Sequence, residues 1–392
     1  MMIERAYKYR FYSNKELREL LAKIFVSCRF VYNYFFNKKQ KLWKKKEHIT
    51  LMNCCLQLTK LKQEKSWLKE IFSVYLQQLL RSLNKAYQKF FKKKAKYPHF
   101  KSKYARQSTY YIKNSFIYRK GKIILAKTKK PLKITWSRKL KKAPSFLTVS
   151  KDACGRYFVS IIVKEKIFSL YFVQRDVALD LGLKNFSVNN KGEKEPNLRF
   201  LKQSRNRIIN LQQSLSRKKK KSNNRNRARI KLVRLHQRVT DKRRDYLHKL
   251  SLKIVNENQV IKSEDLKVKN MQKNRRSAFS ISDVSWSSFL SMLKYKIPWY
   301  GRDFVQLDTF FLLRKICSNC GYKNKELLLS QRSWVCLKCD WDKNAALNLS
   351  KEGLNILIKG TVGHAGSHKL VELEGGDLMT DVIRQPAVNQ EP

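Results

Sequence analysis

The amino-acid sequence predicts a multidomain α/β chain, on three observations. Its 392 residues suffice for two or three domains, each with its own core. Stretches of helical period alternate with short period-two runs along most of its length. Four cysteines grouped near the C-terminal end mark a small metal-held module beside those cores.

The elements follow in order. AYKYRFY alternates as a short strand. Leu17, Leu20, Leu21, Ile24, Cys28, Val31 and Phe35 then share one helical face, and Leu76, Leu79, Leu80, Leu83, Tyr87 and Phe90 share another. These helices run into the basic stretches KKQKLWKKK and FFKKKAKYPHFKSKYAR. Trp43, Tyr97 and Phe100 among those lysines suit contact with nucleic-acid backbone and bases; a solvated face with snorkelling lysines has the same pattern. Over residues 105–165, STYYI, FIYRKGKIIL, FLTVS and RYFVSIIVKE read as strands of a small barrel or sheet. DVALDLGLKNFSVNNKGE reads as a buried strand, a turn and a second strand. Residues 200–255 form a helical hairpin with Leu232, Leu235, Val239, Tyr246 and Leu250 near heptad spacing and a basic tip, RKKKKSNNRNRAR. IVNENQVIKSEDL supplies another buried strand and WSSFLSMLKYKIPWYG another helix, and the last thirty residues lose all period.

Lys and Arg total 87 against 29 Asp and Glu, a formal charge of +58. A compact body with that excess repels itself unless a polyanion neutralises it, and nucleic acid gains most from releasing its condensed counterions. An enzyme of small neutral metabolites is disfavoured. MMIERAYKYR lacks the apolar core of a signal peptide, and no apolar run approaches a membrane span, so no membrane partner is expected. Cys28, Cys54, Cys55 and Cys154 are scattered, which fits a reducing compartment, the cytoplasm, rather than a disulfide framework.

Cys317 and Cys320, then fifteen residues, then Cys336 and Cys339 make a paired C-x2-C arrangement. Two such knuckles complete a tetrahedron around Zn²⁺, and with four protein ligands the ion is structural. Chemistry must then come from elsewhere. Asp180 and Glu264 end apolar strands, and Asp342 precedes a helical run. Alone, each is equally a turn residue or helix cap. Together, in so basic a chain, they suit a phosphodiester hydrolase that holds two Mg²⁺ ions about 3.5–4 Å apart.

DLGLKNFSV, RLHQRVTDKRRDYLHKLS, SEDLKVKNM, DVSWSSFLSMLKYKIPWYG, CSNCG and DKNAALNL, in this order, resemble the TnpB (OrfB) proteins of insertion sequences, relatives of the type V CRISPR effectors. CRFVYNYFFNKK and HFKSK extend the resemblance over nearly all of the chain up to residue 365. It implies a transposon-associated RNA-guided DNA endonuclease of the prokaryotic cytoplasm, acting at the nucleoid. Its partners would be a guide RNA and a DNA target met as double and single strands. Base pairing would choose the target, and the protein would read a short adjacent motif. The implied fold is an RNase H-like RuvC nuclease domain with an inserted zinc ribbon, plus an N-terminal wedge-like β-barrel interrupted by a helical recognition domain. On this sequence the barrel falls at 1–12 and 96–168, the helical insert at 13–95, and the RuvC-like domain at 169–310 with its basic hairpin at 200–255. The ribbon falls at 311–341, the final RuvC helix at 342–360 and a disordered tail at 361–392. Asp180, Glu264 and Asp342 would be the catalytic Mg²⁺-binding acids, and Cys317, Cys320, Cys336 and Cys339 the Zn²⁺ ligands.

Four features depart from the family pattern. Cys339 abuts Asp340, where a glycine and a few more residues are usual, so the chain from metal knuckle to Asp342 is short. Such shortening is expected to distort the ribbon or pull Asp342 away, which would leave a guided DNA binder that does not cut or a decayed transposon remnant. An unguided zinc-ribbon binder is a further alternative, but it leaves the three acids unexplained. Phe311-Leu312-Leu313-Arg314 replaces a Pro-Ser-Ser lead, and Ala178 replaces a glycine. Lys262 and Ser263 lie in a strand expected to be apolar, where a lysine is costly unless it snorkels or pairs.

Overall fold

The computed structural model describes residues 2–104, 106–140, 142–307, 316–324, 334–339, 347–348, 350–351, 370–372 and 378–380. The chain divides into two compact units, Met1–Ile167 with Gln213–Gln237, and Phe168–Gln212 with Arg238–Pro392.

In the first unit β1 (Met2–Tyr12) leads into α1 (Lys15–Lys44), α2 (Leu51–Glu64) and α3 (Ser73–Phe91). Asn14 opens α1 by accepting from the Leu17 N–H at 2.9 Å, and Thr50 opens α2 by accepting from Asn53. The predicted stripes of α1 and α3 are the buried ones: Leu21, Ile24, Cys28, Val31 and Phe35 pack with Leu76, Leu79, Leu80 and Leu83. α2 is not predicted by the sequence pattern. Its signal is Thr50 followed by Cys54, Leu58 and Leu61, all three buried on one face.

The chain then returns to strands: β2 (Gln107–Ile112), β3 (Phe116–Arg119), β4 (Lys122–Leu125), β5 (Lys133–Ile134), β6 (Phe146–Lys151) and β7 (Tyr157–Lys166). They form an antiparallel sheet in the order β2-β6-β7-β1-β5, with β3-β4 a separate hairpin. β1 pairs with β7 from Met2 opposite Lys166 to Phe11 opposite Tyr157. The helices α1 to α3 are therefore inserted between two strands of one sheet. Lys120 and Gly121 both take positive φ, 46° and 75°, as the tight turn of the β3-β4 hairpin requires.

The second unit begins with β8 (Asp176–Leu181), β9 (Asn185–Asn189) and β10 (Lys194–Pro196). α4 (Phe200–Gln203), α5 (Arg205–Ser216) and α6 (Asn223–Glu257) follow, the last two being the arms of the predicted hairpin, whose Gln213–Gln237 portion is grouped with the first unit; then come β11 (Val260–Glu264), α7 (Val268–Met271), α8 (Arg275–Val284), α9 (Trp286–Trp299) and β12 (Asp303–Leu307). The strand order is β10-β9-β8-β11-β12. β8, β9 and β10 pair antiparallel, whereas β8, β11 and β12 pair parallel, with the helices serving as the long connections that parallel strands need. β12 and α8 were not anticipated. Alternation in Asp303–Leu307 and the cap of α8 by Asn274, whose side chain accepts from Arg276, are their signals.

Side-chain alternation gives this sheet two unlike faces. Val177, Leu179, Leu181 and Ile261 face a large core with Leu247, Leu250, Val255, Phe289 and Leu293. Asp176, Ala178, Asp180, Lys262 and Glu264 have the opposite parity, on the face of a small cluster of Ala178, Val305 and Leu307. α4 is anchored from α8: buried Asp283 accepts from the Leu201 and Lys202 N–H groups, each at 2.9 Å, and from Arg243 at 2.9 Å. After α9 the chain turns at Gly301 (φ +67°), where an added Cβ would lie 2.6 Å from Ser169 Oγ.

Most of the tail expected over 361–392 lies outside the described residues. Within 361–392, β13 (Leu370–Glu372) pairs antiparallel with β14 (Leu378–Thr380). Among the described residues no helix is long and apolar enough to cross a membrane.

Candidate functional site

Two of the three predicted acids end neighbouring parallel strands. The β8-β11 ladder pairs Lys262 with Ala178 and Ser263 with Leu179. Continued by one residue on each strand, it sets Glu264 beside Asp180. Neighbouring strands lie about 4.8 Å apart, and residues level across a parallel pair point to the same face. Both acids are half-buried at the carboxyl ends of their strands. Asp180 is ladder-paired to Val188 of β9 and Glu264 to Leu307 of β12, so each acid sits on fixed backbone and remains partly open to water. Asp342 lies outside the described residues.

Lys262 is two residues before Glu264 on the same face, and it is fully buried. The cost anticipated from the sequence is met by pairing. Its Nζ lies 2.7 Å from Asp176 Oδ2, 2.9 Å from the Ser350 carbonyl and 3.4 Å from Ser350 Oγ. The Ser350 hydroxyl also donates to Asp176 Oδ2 at 3.0 Å. Burial lowers the Lys262 pKa despite the pull of Asp176. Burial works to raise Asp176, but hydrogen bonds and charge from Lys262, then Ser350, outweigh it and hold the carboxyl below its ordinary value. Asp176 was not singled out in the sequence; an acid opening a strand beside a lysine in the neighbouring strand was the available signal.

The four cysteines meet. All their sulfurs lie within 4.8 Å of one another, with Cys317 to Cys339 at 3.5 Å and Cys320 to Cys336 at 3.6 Å. Tetrahedral Zn–S bonds of about 2.3 Å require sulfurs about 3.8 Å apart, so the group fits the ion. The first knuckle closes by Gly321 N–H to the Cys317 carbonyl at 3.0 Å, with Gly321 at φ +74°, and by Cys317 N–H to the Tyr322 carbonyl at 2.8 Å. In the second, the Lys338 N–H points at Cys336 Sγ, 3.4 Å away. Burial pushes the Cys317 thiol up, but backbone N–H groups of Cys320 and Asn319 outweigh it and bring the thiol down to about 7, as a metal ligand needs. These four thiols could bind a metal ion. The short spacer after Cys339 has not distorted them.

A helical turn comprising residues 347, 348, 350 and 351 touches both features. Buried Asn348 donates to the Ile316 carbonyl at 2.6 Å and Lys351 donates to the Ser318 carbonyl, both on the first knuckle. Ser350 reaches the sheet through Lys262 and Asp176. The cysteine knuckle and the acid-bearing sheet are thus tied to one turn of helix.

The first unit offers basic surface with open aromatic rings. Trp43 and Phe91 are each more than half exposed, with ring centroids 5.4 Å apart, and His48 is 5.1 Å from Trp43. They border a cavity of about 440 Å³ with Tyr87, Phe90 and Lys39. Phe100 is exposed, but Tyr97 is half-buried against Phe36, Tyr87 and Phe90, so the core reading holds for much of that ring.

Three family models match the chain. Residues 173–275 match OrfB_IS605, described as "Probable transposase"; residues 1–48 match its "Helix-turn-helix domain"; residues 286–349 match "Cas12f1-like, TNB domain". The second description does not fit the geometry of the described residues, since β1 and the single long α1 fill most of that stretch. A Streptomyces pristinaespiralis protein named "Putative RNA-guided DNA endonuclease" is 40% identical over 362 residues, covering 90% of each chain. An Escherichia coli (strain K12) protein named "Putative RNA-guided DNA endonuclease InsQ" is 28% identical over 85% of this chain and 87% of its own. A cryo-EM structure of a Cas12f1-sgRNA-target DNA complex contains a chain that matches with a TM-score of 0.55 at 13% identity, covering 89% of this chain and 99% of that one, a likeness of fold. With these matches along its length, the chain belongs to the TnpB (OrfB) family of insertion-sequence proteins.

Proposed function

We propose that this chain is an RNA-guided DNA endonuclease whose cutting centre lies at the carboxyl ends of β8 and β11. The observation that carries the reading is the register that aligns Asp180 with Glu264. The strand order, three antiparallel and then two parallel strands, supports an RNase H-like sheet of the RuvC kind. The names of the relatives support guided action on DNA. Paired carboxylates offer the hard oxygen donors that Mg²⁺ prefers, and Asp342 is the third acid of the proposed set. When bound there, Mg²⁺ acidifies water and neutralises charge on a phosphate.

The chain's own residues do the rest. Asp180 and Glu264 each follow the last pair of the β8-β11 ladder, Leu179 with Ser263, and that ladder braces both backbones. Lysine and arginine in excess bind phosphates of guide and target, and exposed rings such as Trp43 and Phe91 provide faces for unpaired bases. The cysteine group, with Zn²⁺ as the proposed ion, fixes the knuckles beside the turn at 347–351 without acting on substrate.

Protein purified with its co-expressed RNA tests this. One preferred RNA should co-purify, and DNA matched to its guide should be cut only with Mg²⁺ present. The short Cys339–Asp342 spacer favours a second reading, a guided binder that does not cut. Matched DNA bound but left whole by the wild-type complex would establish that reading instead. An RNA population with no preferred species would remove both.

A further inference from the structure

We infer that Lys262 is a positioning residue of the cutting centre, clamping the helical turn at 347–351 onto the sheet face that carries Asp180 and Glu264. The inference rests on the nuclease reading and adds a residue to it.

A lysine at this point of the sheet is costly. Position 262 is level with Ala178 and Val305, on a face where a small apolar cluster forms. A valine or isoleucine would pack there without desolvating a charge. Lys262 forgoes that packing, and buried ion pairs are weak evidence for stability by themselves. What it provides is specificity of placement. An ammonium has three donor hydrogens, and Lys262 has three acceptors in reach: Asp176 Oδ2, the Ser350 carbonyl and Ser350 Oγ. Ser350 Oγ closes the triangle by donating to the same Asp176 oxygen. An apolar contact could slide by a fraction of a turn; this one fixes both the height and the rotation of the turn.

The clamp joins the start of β8, the middle of β11 and residue 350, three segments distant in sequence. On its other side the turn holds the first cysteine knuckle through Asn348 and Lys351. Removing Lys262 therefore leaves the Ser350–Asp176 hydrogen bond to hold the sheet side, while the knuckle side stays attached through Asn348 and Lys351. Asp176 and Lys262 stand four and two residues before Asp180 and Glu264 on the same strands and the same face, so the clamp braces the ladder from which both acids project. An outer-shell partner acting in this way typically changes metal affinity by roughly 10–100-fold when it is lost.

Lys262→Met, in the full-length protein with its RNA, is the test. Mn²⁺ affinity measured by electron paramagnetic resonance should weaken roughly tenfold. The Mg²⁺ concentration for half-maximal cutting should rise by a similar factor, and amide exchange at residues 347–351 should speed up, with RNA binding unchanged. Lys262→Arg should recover part of the Mn²⁺ affinity. Ser350→Ala, a smaller change that leaves the carbonyl in place, should shift it in the same direction and covers the case in which Lys262→Met does not fold. Unchanged Mn²⁺ affinity in either folded variant, with only a lowered melting temperature, would overturn the positioning role. Asp180→Ala separates the two layers: its loss of Mn²⁺ binding beside a normal Lys262→Met sinks the clamp alone. Mn²⁺ binding retained in Asp180→Ala sinks the nuclease centre and the clamp together.

Discussion

Asp180→Ala is expected to end guided DNA cutting while leaving RNA binding and folding in place. The loss should be on the order of a thousandfold or more, since charge stabilisation of about 4 kcal/mol by a held metal corresponds to three powers of ten in rate. Folding should survive because Asp180 is half-buried at the end of β8, on the face away from the main core of Val177, Leu179 and Leu181. Glu264→Gln should act alike: it keeps the shape of the side chain and its place in the β11-β12 ladder, but removes the charge. Cutting rate on a guide-matched duplex and RNA affinity, measured on the same preparations, check both variants. The pair should not be additive, because each acid is useless to the metal site without the other.

Cys336→Ser should produce the second large effect, by a different route. Four thiolates close the cluster, and Cys336 is buried with its sulfur 3.6 Å from Cys320. Serine supplies no thiolate, and apparent binding energies of structural zinc in small modules reach about 10–16 kcal/mol, so losing one ligand should empty the site. Elemental analysis should fall from about one zinc per chain to almost none. Proteolysis should become rapid near the knuckles, while helix content is retained, because neither principal core includes a cysteine of the cluster. Cutting should fall as well, since the turn carrying Ser350 loses its anchor at Ile316 and Ser318.

Much of this was legible in the sequence because the signals were local. The stripes of α1 and α3 could be read from leucine spacing, and the cysteine pairs from two short motifs. α2 was missed because its three buried residues are fewer and its lysines dilute the stripe. β12 was missed because five alternating residues between a helix and the cysteines carry little signal of their own. That Asp180 and Glu264 end neighbouring strands could only be suspected from the sequence: it depends on the parallel register of strands separated by the whole α5-α6 hairpin. Lys262 shows the limit most plainly. In the sequence it was a polar intrusion into a strand, and its explanation is Asp176, 86 residues earlier, and Ser350, 88 residues later. No period or motif connects those three; only the folded sheet does.

The most direct measurement is an anomalous difference map from crystals of the complete protein, guide RNA and matched DNA grown with Mn²⁺. Strong peaks within coordination distance of the Asp180 and Glu264 carboxylates are predicted, and they should vanish in the Glu264→Gln complex. Density instead over the separate acidic group of Glu193, Glu195 and Glu257, with none at Asp180, would contradict the account.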